Sequence, residues 1–429
     1  MKNNILEPFF RLAERKTNWR LECLAGLTTF LTMSYIIFVN AHILEAAGMN
    51  FGAVFVVTCL VTALGSFLVG ILANYPIAVA PGLALSVYFS FVIVQGLGYS
   101  WQEALGMTFV SGLLFLICSL TKKLEYLIKA IPHSLHIGLS VGIGIFIIII
   151  GLKNAELLDI QGHVSVLTQN FFTLQTGLFL LGLIFLFVWE YLQWNASIAL
   201  SIIFITLASL YFHLTQFHGV LALPPSIHMT WMQLDCHHLF SFEKLSIIFV
   251  FFLITLFDAT GTFIGLLNDS TDKKMPKALF ADSVATVAGS FLGSSSTSPF
   301  IESAAGIRAG GRTGLTSIVT AVLFLASLFI FPLAEAIPSY ATAPALLYVG
   351  FMMTSYLRKI DFKNFWEVIP SILTAVMIPI RFSIVDGVVA GVLSYCFIKL
   401  ITNQRKDINH GLIVLCVIFI IFLGTQFFL

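Results

Sequence analysis

Apolar runs of membrane-spanning length, about 20 residues, alternate with short polar turns along almost the whole chain. The pattern predicts helices over 22–44, 52–73, 77–95, 102–120, 133–152, 172–191 and 195–213. After a polar stretch come 245–267, 278–292, 295–310, 314–334, 341–356, 366–380 and 384–401. These segments form two sets of seven. A further apolar run, 411–428, follows a basic linker and lies outside the repeat; it is expected to span the bilayer or lie along its interface.

Two runs depart from the pattern in the same way. Ser294–Gly314 reads SSSTSPFIESAAGIRAGGRTG, with six of its first seven residues Ser, Thr or Pro and a carboxylate, Glu302, among small residues. Asn74–Ser90 reads NYPIAVAPGLALSVYFS, in which Ile77–Ala80 is short, apolar and bounded by prolines, as a strand is. Irregular backbone survives at membrane depth only where protein or a water-filled cavity satisfies its N–H and C=O groups. Each stretch is therefore expected to be a broken span, an extended entry followed by a half-helix. Pro81-Gly82 opens the first half-helix, and Pro299 lies near the first turn of the second. Both breaks fall in the third run of their half. Paired interruptions of that kind point to the binding site of a secondary transporter, with the positive half-helix ends aimed at a ligand.

Composition agrees with a polytopic membrane protein: 58% of residues are apolar and only 10% charged, where a soluble domain has about 25% charged. A net charge of +1 gives no footprint for nucleic acid. The six cysteines are scattered without a CxxC or a His-spaced pair, so neither a disulfide framework nor a zinc site is indicated. His228, His237 and His238 sit in the polar connector Pro224–Phe242 and fit a solvated external loop. No cofactor and no metal is expected. An ATP-driven pump and an enzyme find no motif here.

Basic residues test the layout independently. With the N-terminus cytoplasmic, all 22 Lys and Arg except Lys153, Lys244 and Arg381 fall on the inner side, as the positive-inside rule requires. Residues 1–20, with Lys2, Arg11, Arg15, Lys16 and Arg20 and no small-residue cleavage site after them, are expected to form an amphipathic helix on the membrane surface. An odd number of spans per set inverts the halves relative to each other. Ala130-Ile131-Pro132 recurs as Ala336-Ile337-Pro338, just before the fifth and twelfth runs.

Ionisable residues inside the runs are few. Asp258 lies mid-span in FFLITLFDATGTFIG, and Glu302 opens the second half-helix. Intramembrane carboxyls cost several kcal/mol unless something answers them, and they mark ligand and proton pathways. Two acids converging on the half-helices would hold a neutral, hydrogen-bonding ligand together with a proton, titrating as a pair. Asp282 is expected to brace the core. Arg308 and Arg312 read as topology anchors.

AGLTTFLTMSYIIFVN, LANYPIAVAPG, FDATGTFIG, LFADSVATVAGSFLG, FIESAAGIRAGGRTGLTS and IPSYATAPALLYVG resemble the nucleobase–cation symporter-2 superfamily. Within it, they are similar to the AzgA-like hypoxanthine/guanine/adenine permeases. The likeness covers nearly the whole chain in order. It implies an all-α membrane fold of 14 spans as seven-plus-seven inverted repeats, with short strands before the two half-helices. It also implies a core domain (21–130 and 244–335) and a gate domain (131–215 and 336–402), with 216–243 as external connector and 403–429 as linker and terminal helix. Purine uptake by proton symport with elevator-like alternating access, location in the cell (inner) membrane and a homodimer through the gate domains follow from it too. Carried over, Asp258 and Glu302 match the acids that hold the base and couple the proton. The backbone of Leu85 and Ile301 completes the cradle, and Thr262 faces the same way as Asp258. The purine branch usually reads GLNAFF after its first Pro-Gly; here the Asn position is Ser86, and Pro299-Phe300 replaces a Thr-Tyr pair. Competing readings are an anion carrier of the sulfate or bicarbonate type on the same architecture, and a xanthine or uracil permease.

Overall fold

A computed structural model describes residues 9–121, 132–161, 164–167, 173–194, 196–237, 239, 241–267, 274–360, 362, 365–381, 383–402, 404 and parts of 411–420. Residues 1–8, His238, most of the basic linker 403–410 and the end of the terminal apolar run lie outside this set.

Among the described residues, eight helices are long and apolar enough to cross a bilayer: Trp19–Glu45, Phe51–Leu72, Trp101–Leu120, Ser134–Asn154, Leu174–Tyr191, Glu243–Leu267, Gly314–Glu335 and Ile384–Ile401. The chain is thus a multi-pass membrane protein. Helices also occupy the other expected runs, where they are shorter or broken: Leu83–Val87 continued by a π-helical stretch Tyr88–Gly96, Ser197–Tyr211, Met275–Leu292, Ser303–Arg308, Ser339–Thr354 and Phe365–Arg381. Pro132 and Pro338, the prolines of the recurring tripeptide, stand at the N-caps of His133–Asn154 and Ser339–Thr354. The equivalent runs therefore start alike.

Helices 133–154, 174–191, 197–211, 339–354, 365–381 and 384–401 pack mainly on one another. Helices 19–33, 51–72, 101–120, 242–267, 275–292 and 314–326 form a second group with the two broken spans. Inside the second group helices approach closely. A Cβ on Gly70 would stand 2.7 Å from the Gly314 carbonyl oxygen, so only glycine allows helices 51–72 and 314–326 to meet there.

The breaks are where the expectation becomes specific. Strand β1 (Val79–Pro81) pairs antiparallel with β4 (Thr297–Pro299), Val79 opposite Pro299 and Pro81 opposite Thr297. Pro299 thus ends the strand rather than entering the first turn, and the half-helix begins later, at Ser303. Left-handed backbone at Gly293 (φ 102°) stops helix 275–292 ahead of the strand. Unpaired backbone in these crossings finds protein partners, as hydrocarbon surroundings demand. Phe300 N–H donates to Ala78 O (3.0 Å) and Gly82 N–H to Ser296 O (2.9 Å). The Ser66 hydroxyl accepts from Val79 N–H (3.0 Å), and that of Ser303 accepts from Ala78 N–H (3.0 Å).

Two further features differ from the sequence reading. Within the N-terminal lead-in, residues 12–16 form turns rather than a surface helix, with Arg11 and Lys16 left-handed at φ 54°. The reason is packing: Phe10 and Leu12 bury against Leu315, and Asn18 caps the helix that starts at Trp19. The connection after helix 133–154 holds a hairpin of β2 (Leu158–Gln161) and β3 (Val164–Leu167), which was not expected.

Candidate functional site

The strand crossing gathers residues that are far apart in the chain. Strand side chains alternate between faces, so neighbours on β4 serve different helices. The Thr297 hydroxyl lies 2.7 Å from Asp282 Oδ1 and 2.8 Å from the Thr286 hydroxyl, both on helix 275–292. Ser298 instead lies beside Asp258 on helix 242–267, which packs against the strand. Asp282, fully buried, therefore braces the strand, and Asp258 flanks its other side. Asp258 lies between the other two acids: its helix packs against β4, whose Thr297 bonds Asp282 and which leads into Glu302.

Glu302 occupies the N-cap of the second half-helix without capping it through its side chain. The carboxylate turns instead to Tyr35, whose hydroxyl donates to Oε1 at 2.5 Å. Tyr35 sits at the break between helices 19–33 and 36–45. That break lets its ring leave the helix line and reach the half-helix. Ile301, immediately before, is 44% exposed, so the backbone at this half-helix start is open to an approaching molecule. Helix 339–354 of the other group packs against helix 36–45, which follows Tyr35.

The first half-helix starts at Leu83 after Gly82, with no side-chain cap. Its first-turn N–H groups, including that of Leu85, have no helical acceptor. Leu85 is fully buried, and so is Ser86. The Ser86 hydroxyl donates to Asn40 Oδ1 (2.6 Å) and lies 2.6 Å from the Ser295 hydroxyl, while the Asn40 amide donates to Thr58 (2.8 Å). Ser86 thus ties the first half-helix to the first span and to the entry of the second break.

Thr262 is one turn beyond Asp258, and on the same stripe Gly261 and Gly265 are exposed, with open space where a Cβ would stand. Helix 242–267 therefore presents a narrow, uncrowded face from Asp258 toward its C-terminal end. Beside Asp258, Phe257 meets His136 edge-on, ring centres 3.9 Å apart. Leu135, Leu253, Thr374 and Val388 line a gap between the two helix groups at that level. The acids consequently sit in the second group, facing the seam with the first.

The structure brings Asp258, Glu302 and Ile301 together around the strand crossing and sets Thr262 on the face leading away. Tyr35, Ser298 and Asn40 were not singled out by sequence. The one available signal was a tyrosine and an asparagine inside the apolar run MSYIIFVN, and nothing local tells which polar residue of a span meets a carboxylate 267 positions away.

Two half-helices joined by a strand pair, with carboxyls beside them in a multi-pass helical bundle, have the architecture of a membrane transporter. The chain belongs to the Permease family, the xanthine/uracil permease or nucleobase–cation symporter-2 family, whose model matches residues 20–390. It is 39% identical over 424 residues to the adenine permease AdeP of Escherichia coli K12, covering 97% of this chain and 95% of that protein. It is 36% identical over 441 residues to the guanine/hypoxanthine permease PbuG of Bacillus subtilis 168, covering 97% and 100%. In fold it resembles the transmembrane domain of a cyanobacterium bicarbonate transporter, BicA, with a TM-score of 0.66 at 16% identity, covering 87% of this chain and 97% of that domain.

Proposed function

We propose that this permease carries purine nucleobases across the cell membrane by proton symport. The observation that carries it is the placing of Glu302 and Asp258 at the β1–β4 crossing, in a chain whose relatives are named adenine and guanine/hypoxanthine permeases. A purine is flat and uncharged and displays both donors and acceptors. Carboxyls answer its N–H groups, and half-helix N–H groups answer its ring nitrogens and carbonyls. Asp258, Glu302, Thr262, Ser86 and the backbone of Leu85 and Ile301 form the proposed purine site; Glu302 and Asp258 take up the proton.

The two helix groups act as core and gate. The core group, with both half-helices, shifts against the gate group to expose the site alternately to each side. The fourteen runs cross the bilayer as two inverted sets of seven, the N-terminus is cytoplasmic, and the gate groups of two copies form a dimer. An anion carrier, suggested by the likeness to BicA, is disfavoured because a carboxyl, Glu302, stands at the start of the second half-helix, while its basic residue, Arg308, lies in the last turn.

Uptake of radiolabelled adenine and hypoxanthine into vesicles, challenged with guanine, xanthine, uracil and sulfate, tests the proposal. Competition by the purine bases, with uptake collapsed by a protonophore, is the expected result. Competition by sulfate alone supports the anion reading, and competition by uracil or xanthine alone moves the substrate to that branch of the family.

A further inference from the structure

Away from the acids, the two helix groups touch again on the face opposite the N-terminal arm. Helix 36–45 ends there, as do the stretch Tyr88–Gly96 and helix 133–154, and the turn before helix 339–354 lies beside them. His42 stands at this seam. Its Nε2 lies 3.0 Å from the backbone oxygen of Ile337, in the turn that leads into the gate helix 339–354. Its Nδ1 lies 3.3 Å from Glu45 Oε2, one turn on in the same helix. The end of the helix is gripped a second time: Gln95 Nε2 donates to Ala46 O at 2.6 Å, and Lys153 of the gate helix 133–154 reaches Gln95 Oε1 at 3.4 Å and the Phe91 ring at 5.2 Å.

Both partners of the His42 ring are acceptors. A neutral imidazole has one N–H and one lone pair, so it donates to the Ile337 carbonyl or to Glu45 but not to both. The unserved acceptor then faces a lone pair. The imidazolium has two N–H groups and satisfies both at once. Among the described residues, the other charges at this seam are few, Glu156 beside Tyr340 among them. Glu45 is on its own helix, Lys153 comes from helix 133–154 through Gln95, and Glu335 precedes Ile337 by two residues. Helices 51–72 and 339–354, packed against helix 36–45, carry no charged residue, and Phe51 contributes a ring centred 4.9 Å from that of His42.

We propose that His42 is a positioning residue that closes the seam between core and gate on this face, and that it holds most firmly as the imidazolium. The proton comes from water on that side of the membrane. Only the imidazolium serves both acceptors, so acidification on the face opposite the N-terminal arm favours the closed seam. The conformer with the opposite side open is then more populated. The proposal rests on the alternating-access reading and adds to it a proton-sensitive contact distinct from Glu302 and Asp258.

A reporter exists on the other side. Gly265 lies on the open stripe that runs from Asp258 to the end of helix 242–267, with room for a side chain. A Gly265→Cys variant, reconstituted in vesicles with a fixed internal and external pH, is labelled with a membrane-impermeant maleimide on its own side and read by peptide mass spectrometry. Gly261→Cys is the second reporter if the first inserts poorly. Lowering the pH on the His42 side from about 8 to about 5.5 should raise the labelling rate by about tenfold, the lower end of what one hydrogen bond to a charged group contributes. His42→Gln keeps an amide donor for Ile337 O but cannot change charge, and should flatten the dependence. Glu45→Gln should weaken it. An equal pH slope in His42→Gln, or a native His42 background whose labelling ignores pH, overturns the proposal. Adenine binding to each purified variant is measured alongside. Intact binding with a flat slope in every form rejects the His42 contact alone, whereas absent binding in every form, His42 retained, rejects the purine reading.

Discussion

Tyr35 donates a 2.5 Å hydrogen bond to Glu302, joining the break in the first span to the start of the second half-helix. Hydrogen bonds to a charged carboxylate are among the strong ones. Removing the hydroxyl in Tyr35→Phe frees the carboxylate to rotate and take a proton without opposition. A hydrogen bond to a charged group contributes about 1.5–3 kcal/mol. Purine affinity should fall by roughly tenfold or more and its pH profile should shift, as measured by equilibrium binding between acid and neutral pH. A binding profile superimposable on the native one would show that Tyr35 does not set the carboxylate.

Glu302→Gln keeps the size of the side chain and an acceptor oxygen but removes the titratable group. Accumulation driven by a proton gradient should be lost, while exchange of internal for external purine persists. Counterflow in vesicles separates the two. Gradient-driven accumulation at the native rate would move proton coupling to another residue.

Asp258 is half-buried and lies beside Ser298 of β4. Asp258→Asn retains one acceptor and loses the charge. Purine affinity should weaken by about 1.5–3 kcal/mol, which titration calorimetry on purified protein resolves. Unchanged affinity would reduce Asp258 to a partner of Ser298 in the strand crossing.

Ser86→Ala removes the hydroxyl that donates to Asn40 Oδ1 in a fully buried position. An acceptor left unpaired there costs about 1–3 kcal/mol. The expected outcome is a lower melting temperature in detergent together with altered competition among adenine, guanine and hypoxanthine, because the half-helix start shifts with it. A native melting curve would mean that water replaces the lost donor.

Glu22 is fully buried and accepts from Arg312 N–H (3.0 Å), Thr313 N–H (3.3 Å) and the Thr316 hydroxyl (2.5 Å). It thereby holds the turn after the second half-helix and the start of helix 314–326, where a negative charge is also favoured by the helix dipole. Glu22→Ala strands those donors, and destabilisation of about 1–3 kcal/mol per unpaired group is expected. Thermal unfolding and faster proteolysis around Gly310–Thr313 would show it. Glu22→Gln, which keeps one acceptor, should lose less.

Much of the architecture was legible in the chain because hydrocarbon imposes a strict rule. Every backbone group in a span must be satisfied internally, so spans read as long apolar runs and any departure stands out. The two departures, with proline at each and serines before Glu302, pointed to broken spans and to short strands without any fold in hand. The carboxyls were legible for the same reason, since Asp258 and Glu302 have no business in lipid unless something answers them. Tertiary structure alone decided what answers them. That β1 pairs with β4, that Thr297 turns to Asp282 while Ser298 turns to Asp258, and that Tyr35 finds Glu302 depend on how distant helices pack. Ser86 shows the limit most clearly. Its place at a half-helix start follows from the Pro-Gly before it, but the direction of its hydroxyl, to Asn40 and Ser295, is set by neighbours 46 and 209 residues away. Local pattern determines which groups must be satisfied in a bilayer, and only packing chooses their partners.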